Sequence, residues 1–523
     1  MTNAGLIPQS QAMRLDPDPQ FDQASVRSTA IRLSKSKFLS GLQCLKRLYL
    51  QVHQPGLATE PDEHQQAILD MGTEVGELAR RRFPGGVLVE AGHRHAPEAL
   101  RRTAELLDDP SVPAIFEGAF EWDRVLIRVD VLDRVGSSPE GVPQWRLIEA
   151  KSSTRVKDIH VDDLAVQTHV LRGAGLALAG SWLMHINTQY VYQGGEPDLE
   201  QLFALQDLSA VVAGRQSDVR SRLDQMKATL SLPVAPAVEP DGHCHMPYEC
   251  PFWSHCTKDK PERWIYYLPG GDRTFQELVR LGVGTIDEIP PDFKLTVLQR
   301  RVRDGAEWVG PRLKTSLGTV RYPVHHLDFE TFMPAIPKIP LTRPYQAIPT
   351  QWSNHIEMED GQVLHHEFLS SDPRDPRTDF IEALLDSVGG EGSICVYSPY
   401  ERAILEGLAE AFPKWARDLR RVIARLWDLL PIVREQYYHP GFLGSFSIKA
   451  VLPALLPELS YDDLEIQEGG MAAQTYAQMV FEETDWVEKL RLREALLRYC
   501  ERDTLAMLRL RYVLLDKASF LEG

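Results

Sequence analysis

The sequence predicts a multidomain α/β protein, and three observations carry that expectation. The chain has 523 residues, more than a single hydrophobic core normally serves. Hydrophobic residues make up 43% and charged residues 25%, which is ordinary for domains that bury proper cores. Two separate regions alternate β-branched and aromatic residues with polar ones and then give way to helical periodicity.

The elements follow in order. Residues 1–26 are polar, with Pro and Asp and no apolar stretch, so they read as a disordered tail and not as a signal peptide. The chain contains no apolar run of about 18 residues, so no membrane span is expected, and a cytoplasmic location follows. The first block, 27–263, opens helically and carries amphipathic helices around Gln65–Arg82 and Pro97–Leu107. Strands are expected at Ala114–Trp122, Val125–Arg134 and Gln144–Ala150, then a helix over Val161–Leu176 and a strand near Ser181–Asn187. Residues 264–317 read as a helical linker. Within it, a Leu-Gly-Val-Gly turn after Leu278 is either part of a linker bundle or similar to a helix–hairpin–helix, a contact to nucleic-acid backbone. The last block, 318–523, has strands at Val324–Phe329, Gln362–Leu369 and Ser393–Tyr397, with helices dominating after Glu401. No period of about 20–50 residues repeats, so the outer blocks are different domains.

The formal net charge is −17, which argues against a protein that coats nucleic acid non-specifically. A local basic segment remains. Between Gln23 and Thr59 there is no acidic residue, while Arg27, Arg32, Lys35, Lys37, Lys46 and Arg47 are present. A solvated helix face would look the same.

Three constellations carry chemistry. In the first, Asp130 lies on an alternating strand, and the next strand ends Leu147-Ile-Glu149-Ala-Lys151. Period two puts Glu149 and Lys151 on one face. Two carboxylates that hold a divalent metal, with a lysine beside the attacking hydroxide, suit phosphodiester hydrolysis. A lone E-x-K is also what a surface salt bridge looks like. The order of Asp, hairpin, E-x-K and a helix bearing Gln167 resembles the PD-(D/E)XK nucleases, and most closely their RecB-like branch, which includes iron–sulfur exonucleases. The resemblance implies a restriction-endonuclease-like domain in which Asp130 and Glu149 bind Mg²⁺ or Mn²⁺, Lys151 is catalytic and Gln167 supports the site. The branch often has G-x-x-x-H upstream. Here Gly72-Thr-Glu-Val-Gly76 ends in glycine, which leaves Glu74 and Glu77 as substitutes, and no tyrosine completes Q-x-x-x-Y after Gln167.

The second constellation is Cys244, Cys250 and Cys256, three thiols within thirteen residues of a Pro- and Gly-broken loop. Structural zinc prefers closer pairs, and iron–sulfur clusters usually take four thiolates. Cys44 is the natural fourth ligand. The RecB-like iron–sulfur nucleases have this layout, one cysteine before the nuclease core and three after it, which implies a [4Fe–4S] cluster acting as a structural staple. His243, His245 and His255 keep zinc open.

The third constellation pairs a strand ending Asp328-Phe-Glu330 with a late helix containing Tyr499 and Asp503, which share a face as i and i+4. This pairing resembles the DEDDy 3′→5′ exonucleases of the DnaQ-like, RNase H-like fold. It implies metal binding by Asp328, Glu330 and Asp503, with Tyr499 orienting water. The intervening carboxylate is Glu401, in Tyr-Ser-Pro-Tyr400-Glu401, with Asp428 as the reserve or an added ligand. Ser447 and Lys449 either meet substrate phosphate or form a turn before a helix. The Pro340–Pro349 loop could line a strand-binding groove. Cys395 and Cys500 read as buried small residues. The expected function is a metal-dependent nuclease acting on DNA ends or single strands, in repair, recombination or defence against foreign DNA. RNA processing, or nucleic-acid binding with one inactive domain, are the alternatives.

Overall fold

The computed structural model describes residues 32–92 and 95–519, so the 1–26 tail and Arg27 lie outside the described residues. The fold is mixed α/β with three sheets.

The first sheet has seven strands. These are β1 (Leu33–Ser34), β2 (Val87–Leu88), β3 (Ala114–Trp122), β4 (Val125–Ser137), β5 (Pro143–Lys151), β6 (Leu178–Ile186) and β7 (Phe203–Asp207), in the order β2-β3-β4-β5-β6-β7 with β1 beside β4. β3, β4 and β5 form an antiparallel meander, and β6 returns parallel to β5 after the crossover helix Asp158–Gly173. That helix stops short of Leu176. Gly175 adopts a φ of 88°, and the Leu176 N–H donates back to the Leu171 carbonyl, a glycine-dependent C-terminal cap. One face of the sheet packs on this helix and on Lys35–Gln43, Ala96–Asp108 and Gln216–Leu230 through a core that includes Phe38, Leu106, Val166 and Leu223. The opposite face packs on Glu63–Arg80 and, from far along the chain, Ala335 and Ile336.

The helix Asp272–Arg280 and a single 3₁₀ turn, Ile286–Glu288, flank the Leu-Gly-Val-Gly turn. The second expected helix is thus one turn only, because Pro290 and Pro291 follow. Leu278 and Ile286 share one core with Leu429, Val433 and Leu510.

The second sheet contains β9 (Val324–Phe332), β10 (Ile348–Glu357), β11 (Val363–Leu369), β12 (Ser393–Val396) and β13 (Leu426–Asp428), in the order β11-β10-β9-β12-β13. β9 to β11 are antiparallel, and β12 and β13 run parallel to β9. Helices Arg377–Val388, Tyr400–Ala411 and Ala416–Arg425 cover one face; Gly469–Phe481 and the long Trp486–Ser519 cover the other. The third sheet is a small pair, β8 (Trp308–Val309) and β14 (Tyr437–Tyr438). Strand β10 is an addition to the elements read from sequence. All ten of its residues are buried, so it shows no in–out alternation. Among the described residues, no helix is long and apolar enough to cross a membrane.

Candidate catalytic centres

The first centre forms where β4 and β5 part. Their pairing begins at Val131 opposite Ile148, which leaves Asp130 and Glu149 just beyond its inner end. Asp130 Oδ2 accepts from the Ala150 N–H at 2.9 Å. Glu149, only 1% exposed, accepts at Oε1 from Lys35 Nζ (2.8 Å) and Lys151 Nζ (2.6 Å), and at Oε2 from Gln167 Nε2 (2.7 Å). Asp163 completes the cluster, accepting from Lys151 Nζ at 2.9 Å and Gln167 Nε2 at 2.9 Å. Asp130, Glu149, Lys151 and Gln167 are therefore brought together.

Burial alone would raise the Glu149 carboxyl, but Lys151 and Lys35 hold it below its usual range. Asp130 has only a 3.8 Å approach from Lys35 and sits beside the Glu149 charge. Burial and that charge push it up to about 7. The flanking Lys35 and Lys151 ammoniums are held protonated by Glu149, Asp163 and Asp130, against the cost of burial.

A cleft of about 390 Å³ opens onto this cluster, walled by Gly72, Thr73, Gly76 and Glu77 of the helix opposite. Of the two residues open to substitute for the missing histidine, Glu77 lines the cleft and Glu74 pairs with Lys338 at 2.5 Å. A third, Glu117, also lines it. It lies on β3 at the register position facing Asp130, with a φ of 55° that a side-chain-bearing residue rarely adopts. Lys35 also borders a second groove of about 560 Å³, with Arg32, Lys37 and Arg128. Lys35, Asp163 and Glu117 were not singled out by sequence as members of the centre. Asp163 stands four residues before Gln167 on one helix, so it shares the inward face, and that spacing was a readable signal.

The four cysteines Cys44, Cys244, Cys250 and Cys256 line one pocket, and none is in a disulfide. Cys44 sits between helices Lys35–Gln43 and Leu45–His53, and the Gln43 amide donates to the carbonyls of His243 (2.9 Å) and Tyr248 (2.7 Å), tying the two segments. Burial raises Cys244 to about 11 and raises Cys250 and Cys256, with the neighbouring thiols adding to it. A neighbouring cation favours the thiolate form of such thiols. Lys46 and Arg47 reach Cys256 and Cys250, which suits an anionic thiolate–metal core. His243 borders the pocket with its Nδ1 against Asp241, and the His245 imidazole is taken by Glu249 at 2.6 Å.

The second centre lies on central strand β9. Ligand atoms of Asp328, Glu330 and Asp503 lie within 4.8 Å of one another. Glu401, 4% exposed at the start of Tyr400–Ala411, adds its charge to Asp328 and Glu330, and the Ser398 hydroxyl donates to it at 3.3 Å. Asp428 neighbours Glu401, but its Oδ1 accepts from the Leu430 N–H at 3.0 Å and caps the next helix. Burial and the neighbouring carboxylate charges push Asp328 and Glu330 well above the usual carboxylate range and Glu401 to about 7, and burial raises Asp503 to about 6. Such a set fits divalent cations.

Tyr499 is buried against the cluster, and burial with the Asp503, Glu330 and Asp328 charges keeps its phenol protonated. Tyr461, absent from the sequence reading, donates its hydroxyl to Asp503. Lys449 Nζ lies 5.4 Å and 5.6 Å from the Tyr461 and Tyr499 rings and donates to the Gln467 carbonyl at 2.8 Å. Cys395 and Cys500 are buried, and the Cys500 thiol touches Asp328 Oδ2 at 3.7 Å.

The loop between β9 and β10, read from sequence as a lining for a strand-binding groove, packs on the first centre's rim. The Leu341 N–H donates to the Tyr192 carbonyl at 2.6 Å, and the Tyr345 hydroxyl donates to the Ser152 carbonyl, next to Lys151.

Fold and sites thus define a mixed α/β protein with two carboxylate centres and a cysteine pocket. A family model described as a domain of unknown function (DUF2779) matches residues 325–447. The match takes in Asp328, Glu330, Glu401 and Asp428 and stops before Tyr499 and Asp503. No curated protein matches the chain.

Proposed function

We propose that this chain is a metal-dependent nuclease with two hydrolytic centres, acting on DNA ends or single strands. The observation that carries the reading is the convergence of Asp328, Glu330 and Asp503, with Glu401 beside them, on one buried point. In this reading residues 27–263 are a RecB-like PD-(D/E)XK domain, 264–317 a helical linker and 318–523 a DnaQ-like, RNase H-like domain. The five-stranded sheet with D-x-E on its central strand supports the last assignment.

Divalent ions held by these carboxylates would neutralise a phosphate and acidify a bound water. The chain's own residues do the rest. Tyr499 remains a phenol and can donate to an oxygen at the cluster. Lys449 supplies a cation at its edge for substrate phosphate. At the first centre, Lys151 is held protonated next to Glu149, and the groove bearing Arg32, Lys37 and Arg128 offers a path for a polyanion. The four cysteines are assigned to a [4Fe–4S] cluster, which closes the N-terminal helices onto the segment after the sheet.

One observation favours a second reading of the first centre. Both Glu149 oxygens are already engaged by lysines and Gln167, an arrangement that also suits binding without cleavage. Wild type, Glu149→Ala and Asp328→Ala, assayed on end-labelled DNA and RNA strands with Mg²⁺ or Mn²⁺, separate the cases. DNA cleavage that falls in both variants supports two active centres. Loss only in Asp328→Ala assigns binding to the first centre. Preference for RNA replaces the substrate, and no cleavage with either metal rejects the proposal.

A further inference from the structure

Strand β10 places polar side chains in a buried sheet, and one group of them has the makings of a separate metal site. The β10–β11 register sets His355 directly opposite His365, and their rings stack with centroids 4.4 Å apart. Glu501, on Trp486–Ser519, brings Oε1 to 4.0 Å from His365 Nδ1. One ligand atom from each of the three lies within 4.8 Å of the other two.

Hydrogen bonds around them anchor one nitrogen of each ring. The Thr504 hydroxyl donates to the Glu501 carbonyl at 3.1 Å, which uses its only proton. It therefore accepts from His355 Nδ1 at 2.8 Å and from the Ser353 hydroxyl at 2.7 Å. Ser353, its proton spent, accepts from His365 Nε2 at 2.9 Å. Each imidazole thus has one nitrogen anchored from behind by a hydroxyl. The nitrogens turned away from those hydroxyls are His355 Nε2 and His365 Nδ1, the latter on the side of Glu501. An anchored N–H behind an unprotonated nitrogen is the arrangement that metal-binding histidines need.

We propose that His355, His365 and Glu501 bind a divalent transition ion of the zinc type. Two imidazoles and one carboxylate select a borderline ion over Mg²⁺, which prefers oxygen. The ion would join β10, β11 and the long helix. Glu501 is two residues from Asp503, so the site braces the scaffold of the second centre without being part of it.

The proposal is independent of nuclease activity, and metal binding tests it. Full-length protein carrying Cys250→Ser, stripped of metal and kept in excess Mg²⁺ to occupy the carboxylate cluster, is titrated with Zn²⁺. The expected result is a site that Mg²⁺ does not displace and that weakens roughly tenfold or more with His365→Ala. Glu501→Gln, at a half-exposed position, is the second variant and should weaken it similarly with the fold unchanged by circular dichroism. Zinc binding that is equal in wild type and both variants, or that Mg²⁺ abolishes, overturns the proposal.

Discussion

Replacing Asp503 by asparagine should stabilise the metal-free protein at alkaline pH, an unusual result for a buried residue at a site's centre. Asp503 is 7% exposed, and its carboxyl is raised from 3.8 to about 6, chiefly by burial. It is also the strongest charge acting on both Asp328 and Glu330. A carboxyl whose folded pKa is raised contributes stability below its unfolded value and loses it as pH rises through its folded value. The penalty therefore begins near pH 4, is complete near pH 7, and amounts to about 3 kcal/mol for a shift of roughly two units. Asparagine keeps the shape and an oxygen for the Tyr461 hydroxyl but cannot ionise. For a unit of about 200 residues this predicts a thermal midpoint roughly 6–12 °C higher at pH 8 in chelator. The gain should shrink towards zero near pH 4. Mg²⁺ should erase the difference at a hundredfold excess over Kd, where wild type alone gains about 3 kcal/mol of binding free energy, and reverse it at about a thousandfold excess, where the gain is about 4 kcal/mol. Differential scanning fluorimetry across pH, with and without Mg²⁺, reads all of this. An asparagine variant less stable than wild type at pH 8 in chelator, or a difference that does not change with pH, refutes the reasoning.

Three further outcomes are expected. Anaerobically purified Cys250→Ser should lose bound iron and visible absorbance, while Cys395→Ser, remote from the cysteine pocket's lining, keeps both; iron analysis and a spectrum decide it. Glu149→Ala should cost about 3 kcal/mol in urea unfolding, since it leaves Lys35 and Lys151 partly uncompensated at a desolvated position. Gly76→Ala should raise stability by up to about 1 kcal/mol, because an added Cβ meets nothing within 4 Å inside a helix. If the cleft admits substrate, the same variant should bind single-stranded DNA more weakly in a fluorescence anisotropy titration.

Much of the first centre was legible because strands β3 to β5 alternate, and alternation fixes which side chains share a face. Glu149 and Lys151 follow from that rule, and Tyr499 with Asp503 from its helical counterpart. Lys35 was visible only as one of six basic residues, since nothing local distinguishes a lysine that folds back onto a carboxylate 114 positions away. Glu117 escaped because its role depends on a positive φ, which the sequence does not encode at a non-glycine position. Strand β10 escaped for a different reason. Its Gln351, Ser353, Asn354 and His355 are buried polar residues that bond to Leu496, Thr504 and Ser387, partners from distant helices. Periodicity reports solvent on one face, and β10 has solvent on neither.

The two centres handle like problems with opposite electrostatics. At the first, Lys35 and Lys151 hold Glu149 ionised while burial and the Glu149 charge keep Asp130 and Asp163 raised, so the cluster is compensated in part by the protein's own cations. At the second, Lys449 and Arg502 oppose the charge of Glu330 and Asp503, but burial and repulsion still leave the carboxyls raised. That cluster is poised to take up metal or protons. Metal removal should therefore loosen the second sheet's helices while leaving the first sheet intact. The loop that leaves β9 just after Glu330 also reaches Ser152, beside Lys151, through Tyr345. A change of charge state at Glu330 thus has a short covalent path to the rim of the first centre. Hydrogen exchange with and without Mg²⁺ should show protection rising first along Trp486–Ser519 and then in residues 333–347. Protection confined to β3–β5 would mean that the first centre, and not the second, is the one that responds to metal.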